Sequence, residues 1–156
     1  EEATLLQAYL YETKQNSSKE QSNTTILDMK KWEIQNFGSE KDLYGEDMQK
    51  FIIGYYHLDP EEVKLIKNSS IKEIKNQIKQ GHPVIVPITG EILKNPYYPY
   101  PGYHMLTVIG FTEDHIITND NGTRRGANFS YDQAIFEQAF QDAGADIIVL
   151  NLKNKN

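Results

Sequence analysis

The chain has no cysteine among its 156 residues, so neither a disulfide framework nor a thiolate metal site can be built from it. It has no run approaching the ~18 to 20 apolar residues of a membrane helix, and no charged start followed by an apolar stretch of the kind that marks a signal peptide. It has no surplus of positive charge: 16 Lys and Arg stand against 22 Asp and Glu, a formal charge of -6. With no basic stripe to neutralise phosphates, nucleic acid is not an expected partner. Its histidines, His57, His82, His104 and His115, lack ligand spacing such as two histidines at i and i+4 with an acid between, so a metal hydrolase is a distant reading and neither metal nor cofactor is expected. Repeats and low-complexity tracts are absent as well. So is an initiator methionine. The chain opens on Glu1-Glu2-Ala3 in what reads as helix, without the Ser, Thr, Asp or Asn that normally caps one, and upstream residues are therefore expected.

What is present is an ordinary globular composition, 38% hydrophobic and 24% charged, enough for one domain with a core of its own. The order of elements divides it into a helical half, about residues 1 to 81, and a sheet half, about 82 to 151. Leu5, Leu6, Tyr9 and Leu10 share one side of a first helix over 1 to 14. A serine-rich linker over 16 to 23 is expected next. A second helix from Thr24 or Thr25 carries Ile26, Met29, Trp32 and Phe37 to Gly38, with Trp32 read as core; a third, over 46 to 56, places Met48, Phe51, Ile52 and Tyr55 inward. Val63 to Leu65 suggests a short strand. Ser70 and Glu73 form a capping box for a helix with Ile71, Ile74 and Ile78 on its stripe, closed by Gly81. Val84 to Ile88 is a buried strand, and Pro83 and Pro87, each lacking a donor, place it at an edge or bulge. Ser130 and Gln133 are expected to cap a last helix ended by Gly144, and a strand over 146 to 150 closes the sheet. Helices first and a mostly antiparallel sheet afterwards is an α+β arrangement, with the N-terminal helices packed on the sheet.

The chemistry concentrates in GYHMLTVIGFTEDHIITNDNG, residues 102 to 122. It reads as strands Tyr103 to Phe111 and His115 to Asn119 around a Thr112-Glu113-Asp114 turn. If that loop has three residues, Phe111 lies opposite His115 and His104 opposite Gly122, diagonal to Asp120 on the same face and within reach of it. A two-residue loop would put them on opposite faces, since one step of register flips every side chain. An imidazole held by a carboxylate is the base half of a nucleophilic catalyst. On these two residues alone, a satisfied core histidine beside a turn aspartate is the favoured reading.

Two loops flank this hairpin. Before it, Tyr97, Tyr98 and Tyr100 alternate with Pro96, Pro99 and Pro101, a stiff, amphipathic segment suited to gripping an extended peptide or to covering the sheet as a lid; Tyr103 and Asn121 lie beside the same place. After it, Arg124 and Arg125 could hold a substrate carboxylate but are expected to pair with surface acids.

Taken together, "GHPVIVPITG", "GYHMLTVIGF", "ITNDNGTRRG" and "FSYDQAIFEQAF" resemble the papain-like cysteine peptidases, in particular the bacteriocin-leader (double-glycine) peptidase-like family. The resemblance covers most of the chain. It implies a papain-like fold, a peptide or protein substrate, His104 as general base and Asp120 as the acid that orients it. It also implies a nucleophilic cysteine at the start of the first helix, in a pattern similar to Cys-Glu-Glu-Ala-Ser-Leu-Leu, so that the cysteine falls just before Glu1, with the oxyanion-hole glutamine farther upstream. Residues 1 to 156 by themselves would then be inactive, and the alternative function is a non-catalytic peptide- or ligand-binding module on the same fold. Where such proteins often have proline after the aspartate, this chain has Asn121. The resemblance leans towards a bacterial, secreted or cell-envelope setting and leaves oligomeric state open.

Overall fold

The structure, a computed structural model, describes residues 1–98 and 102–152. Helix α1 (Glu2–Glu12) leads to α2 (Lys19–Phe37) and α3 (Gly45–Tyr56); a 3-10 turn (Pro60–Glu62) enters strand β1 (Val63–Ile66), and α4 (Ile71–Lys79) leads into β2 (Val84–Thr89). A short helix α5 (Gly90–Leu93) precedes the hairpin β3 (Tyr103–Phe111) and β4 (His115–Asn119), followed by β5 (Phe129–Asp132), α6 (Gln133–Asp142) and β6 (Ile147–Leu150). The six strands form one sheet in the order β1-β6-β2-β3-β4-β5, and each ladder between neighbours is antiparallel.

Period-2 alternation sorts the sheet into two faces. Ile85, Met105, Ile148 and Leu150 point towards Leu5 and Ala8 of α1, Met29 of α2 and Met48, Phe51 and Ile52 of α3. Their sequence neighbours Val84, Val86, Leu106, Val108, Ile147 and Val149 point the other way, to Ile71 and Ile74 of α4 and Phe136, Ala139 and Phe140 of α6. The early helices therefore cover one face, as the sequence suggests, while α4 and α6 cover the other. Trp32 stacks on Phe51 at 5.5 Å between ring centroids and belongs to the helical layer.

Several sequence expectations are corrected. The linker over 16 to 23 is largely helix: α2 begins at Lys19 because Ser18 accepts from the Gln21 amide while the Gln21 side chain accepts from the Ser18 amide, a complete capping box. Ser70 does accept from the Glu73 amide, but Glu73 turns its carboxylate to Gln77, leaving half a box. Ser130 caps nothing. It lies exposed in β5, and Asp132 caps α6 by accepting from the amides of Ala134 and Ile135. The strand β2 is interior rather than an edge. Its prolines are tolerated because Pro83 precedes the strand and the ladder to β6 covers only Val84 and Ile85, so that neighbour makes no demand on Pro87.

The hairpin closes differently from expectation and arrives at the same place. Phe111 pairs with Ile116 and Gly110 with Ile117, so four residues separate the paired ends; past a bulge between Val108 and Gly110 the register becomes Val108 with Thr118 and Thr107 with Asn119. Those last pairs are the ones a three-residue loop would have made. The extra residue, Ile109, repairs the parity that the longer turn would have broken.

Candidate functional site

His104 is the second residue of β3, and Asp120 directly follows β4. Beyond the bulge the register puts them on one face, and His104 Nε2 lies 2.8 Å from Asp120 Oδ1. Asp120 is 2% exposed. Burial by itself would raise its pKa, but hydrogen bonds from His104, Tyr131 and Tyr98 outweigh burial and hold the carboxyl below its ordinary value. An ionised carboxylate only accepts, so the Nε2 proton of His104 is the one donated. No hydrogen bond occupies Nδ1 among the described residues, which leaves it as the nitrogen able to take a proton.

The carboxylate has a full set of donors. Oδ1 also accepts from the Gly122 amide at 3.0 Å; Oδ2 accepts from the Tyr98 hydroxyl at 2.5 Å, the Tyr131 hydroxyl at 2.7 Å and, more weakly, the Asn95 amide nitrogen at 3.4 Å. Asn95 Nδ2 donates at 2.6 Å to the Tyr131 oxygen, which turns the Tyr131 proton towards Asp120. Burial, followed by the bond to Asp120, pushes both phenols well above the usual tyrosine range, so they are constant donors.

Two glycines make the turn after β4 fit. A Cβ on Gly122 would stand 2.7 Å from His104 Cε1 and 2.8 Å from Nε2. A Cβ on Gly126 would stand 1.7 Å from the Asp120 carbonyl oxygen, against which Gly126 folds so that its own carbonyl accepts from the Asp120 amide at 2.9 Å. At Gly126 a backbone contact this close admits only hydrogen at Cα, whereas the atoms met at Gly122 are side chains.

The first turn of α1 faces the same place. Thr4 donates to the Met105 carbonyl at 3.1 Å, seating the helix against β3 one residue from His104. An open cleft of about 580 Å³ is lined by Glu1, Glu2, Glu40, Lys41, Asp42, Tyr103, His104 and Met105. Its outer wall, residues 40 to 42, is pinned by two carboxylates: Glu33 accepts from the Lys41 amide and Glu1 from the Leu43 amide, each at 2.9 Å. Burial pushes the carboxyl of Glu1 up to about 7 and raises that of Glu33.

The tyrosines divide. Tyr98 turns inward to Asp120 and packs edge-on to the His104 ring, centroids 5.3 Å apart. Tyr103 lines the cleft, with its hydroxyl donated to the Leu43 carbonyl and its ring against Tyr44. Tyr97 is 43% exposed and lies under the Arg125 guanidinium, 4.9 Å from the ring centroid. Arg125 thus bonds the Tyr97 hydroxyl at 3.2 Å where a surface acid was expected. Tyr100 lies outside the described residues. Asn121 is exposed and reaches Gln7 of α1 at 3.4 Å. Sequence reasoning missed Tyr131 and Asn95; the alternation of Phe129 and Tyr131 across Ser130 was an available strand signal. No group of three or more histidine, cysteine, aspartate or glutamate side chains among the described residues is arranged to hold a metal ion, and no described helix is long and apolar enough to cross a membrane.

No curated protein sequence matches the chain. Among solved structures, it is similar to a protein described as a C39-like peptidase from Bacillus anthracis, with a TM-score of 0.59 and 16% identity over 75% of this chain. The match spans 63% of that protein, less than two thirds of its length, and at this identity it speaks to the fold alone, which is the α+β fold of a C39-like peptidase. At the level of sequence families, the match takes in residues 2–147, strands and helices of both halves included, and the chain belongs to the Peptidase_C39 like family.

Proposed function

We propose that residues 1–156 are the body of one cysteine peptidase domain that hydrolyses peptide bonds through an acyl-enzyme, with His104 as general base and Asp120 as its orienting acid. The observation that carries the reading is the His104–Asp120 pair, Nε2 to Oδ1 2.8 Å, opening with the first turn of α1 onto one cleft. The cysteine that the family resemblance implies immediately before Glu1 would sit at the N-terminal end of that helix. There the backbone amides and the helix dipole favour a thiolate and offer donors to a developing oxyanion. Thr4 is no substitute, being 1% exposed and hydrogen-bonded to Met105.

The reaction then runs in two halves. The thiol proton passes to His104 Nδ1 as sulfur attacks the substrate carbonyl carbon; the carbon–nitrogen bond breaks, the amine leaves with that proton, and a thioester remains. Water, deprotonated by the same nitrogen, attacks the thioester and releases the acid and the thiol. Glu1 is less of an obstacle to the thiolate than its formal charge suggests, because a carboxyl with a pKa of about 7 is largely neutral below that pH.

The substrate is a peptide or protein, as family membership suggests, approaching past Tyr103, Tyr97 and Asn121. Peptide cleavage by the full-length protein tests the reading. Cleavage that disappears in His104→Ala supports it; cleavage unaffected by that change overturns the role given to His104, and no cleavage of any peptide while peptides still bind the cleft replaces the reading with the non-catalytic binding module.

A further inference from the structure

The polar atoms behind the histidine do more than satisfy a buried charge. A carboxylate offers two oxygens, and an imidazole facing a free carboxylate can take either, rotate about its χ angles, or hand over its other nitrogen. Here one oxygen is closed off. Oδ2 receives Tyr98 at 2.5 Å, Tyr131 at 2.7 Å and Asn95 at 3.4 Å, and Oδ1 faces His104 with the Gly122 amide at its side.

The donors come from separate parts of the chain: Asn95 and Tyr98 from the segment after α5, Tyr131 from the edge strand β5. They are also ordered among themselves. Asn95 Oδ1 accepts from the Tyr97 amide at 2.9 Å, which fixes its amide so that Nδ2 faces the Tyr131 oxygen at 2.6 Å. With that lone pair taken, the Tyr131 proton points at Asp120. Tyr131 is itself held by Phe129 at 4.6 Å and Phe136 at 6.3 Å between centroids, and Tyr98 braces the imidazole edge-on.

We propose that Tyr98 and Tyr131, directed by Asn95, are positioning residues for the His104–Asp120 pair: by filling Oδ2 they leave Asp120 a single oxygen for the imidazole, and so keep the His104 proton on Nε2 and the lone pair on Nδ1. Neither phenol touches substrate. Tyr98 is thereby removed from the peptide-gripping tyrosines and placed behind the base. The assignment deepens the peptidase reading and rests on it for the word positioning, but the tautomer it describes is a property of the folded protein whether or not a peptide is cut.

The groups facing Asp120 are His104 from β3, Tyr98 from the loop after α5 and Tyr131 from β5. With the two hydroxyls gone, burial has less to oppose it, so the carboxyl protonates at a higher pH and releases the histidine sooner on acidification.

The experiment uses the full-length protein and Tyr98→Phe, Tyr131→Phe and the double variant. Phenylalanine keeps the rings and their packing, and circular dichroism with thermal unfolding checks that each variant folds. The first readout is the ¹⁵N NMR of the His104 imidazole, assigned by its loss in His104→Ala. Wild type should show Nε2 protonated and Nδ1 bare at alkaline pH, and the folded double variant a mixed tautomer. The second readout is the pH profile of peptide hydrolysis, whose acid limb should move to higher pH with kcat down about tenfold or more and KM little changed. A wild-type imidazole spectrum in the folded double variant overturns the proposal, even if activity falls. A tautomer change in a protein that cuts no peptide keeps the proposal and removes the peptidase reading, so the two failures are told apart.

Discussion

His104 Nε2 meets Asp120 Oδ1 at 2.8 Å across a hairpin whose turn would otherwise separate them. From the Phe111–Ile116 pair alone, an unbroken ladder would put His104 and Asp120 on opposite faces of the sheet. The bulge at Ile109 brings them back together. Deleting Ile109 should remove the bulge and keep the register: with Phe111 still opposite Ile116 and Gly110 opposite Ile117, Val108 meets Thr118 in a regular ladder and His104 stays on the face of Asp120. We expect a folded protein by circular dichroism whose peptidase activity stays close to wild type. A loss on the order of 10³-fold, the scale on which a catalytic histidine loses its orienting acid, would mean that the β3–β4 register had slipped by one residue.

Gly122→Ala is the smallest change aimed at His104. Its Cβ would stand 2.7 Å from His104 Cε1, too close for both groups to keep their places. The imidazole gives way before the sheet does, so kcat should drop on the order of 100-fold, the cost of misplacing a catalytic group by about 1 Å, with little change in thermal stability. Equal loss of both would show that the turn itself had collapsed.

Asp120→Ala should be worse for the fold than Asp120→Asn. Alanine strands the Tyr98 and Tyr131 hydroxyls, which point at the carboxylate, while the Asn95 amide keeps the Tyr131 oxygen. Each buried donor left without a partner costs about 1–3 kcal/mol. Asparagine keeps an acceptor oxygen and loses the charge, so it should fold with a higher melting temperature than alanine while both fail to cut peptides.

The pH dependence of stability has two opposing contributors. Asp120, held below its ordinary value, adds stability that is present above the unfolded carboxylate pKa of about 3.9 and lost as pH falls through its lower folded value. Glu1, pushed up by burial to about 7, works the other way: its contribution is complete below the unfolded value of about 4.3 and disappears as pH rises through about 7. Glu1→Gln keeps an acceptor for the Leu43 amide and removes the titration. Melting temperatures of the variant should thus fall less than those of wild type between pH 5 and pH 8; an equal fall would show that Glu1 is not the titrating group.

Much of this was legible in the sequence where a local rule acts alone. The strand bounds Tyr103–Phe111 and His115–Asn119 follow from β-branched and aromatic residues around a polar turn, and the apolar stripes of α3 and α4 from helical spacing. What was misread depended on choices between neighbours. Ser18 caps α2 where Ser17 and Ser22 offer the same chemistry, and Asp132 caps α6 two residues after a serine that fits the same pattern. The interior place of β2 depends on where β6 stops pairing, a tertiary fact that Pro87 does not announce. The His104–Asp120 contact itself was legible only through parity, and the turn and the bulge each miss that parity by one step in compensating directions. Tyr131 was out of reach, because nothing near it in sequence indicates that its hydroxyl meets Asp120 from another strand.

The central claim is that His104 serves a cysteine at the head of α1. The direct measurement is mass spectrometry of the full-length protein treated with a thiol-reactive peptide electrophile, wild type beside His104→Ala. The account predicts one adduct per chain, on a cysteine immediately preceding Glu1, formed rapidly in wild type and on the order of 10²-fold or more slowly without the imidazole. A residue other than cysteine before Glu1, or a cysteine there that labels at the same rate with and without His104, would contradict it.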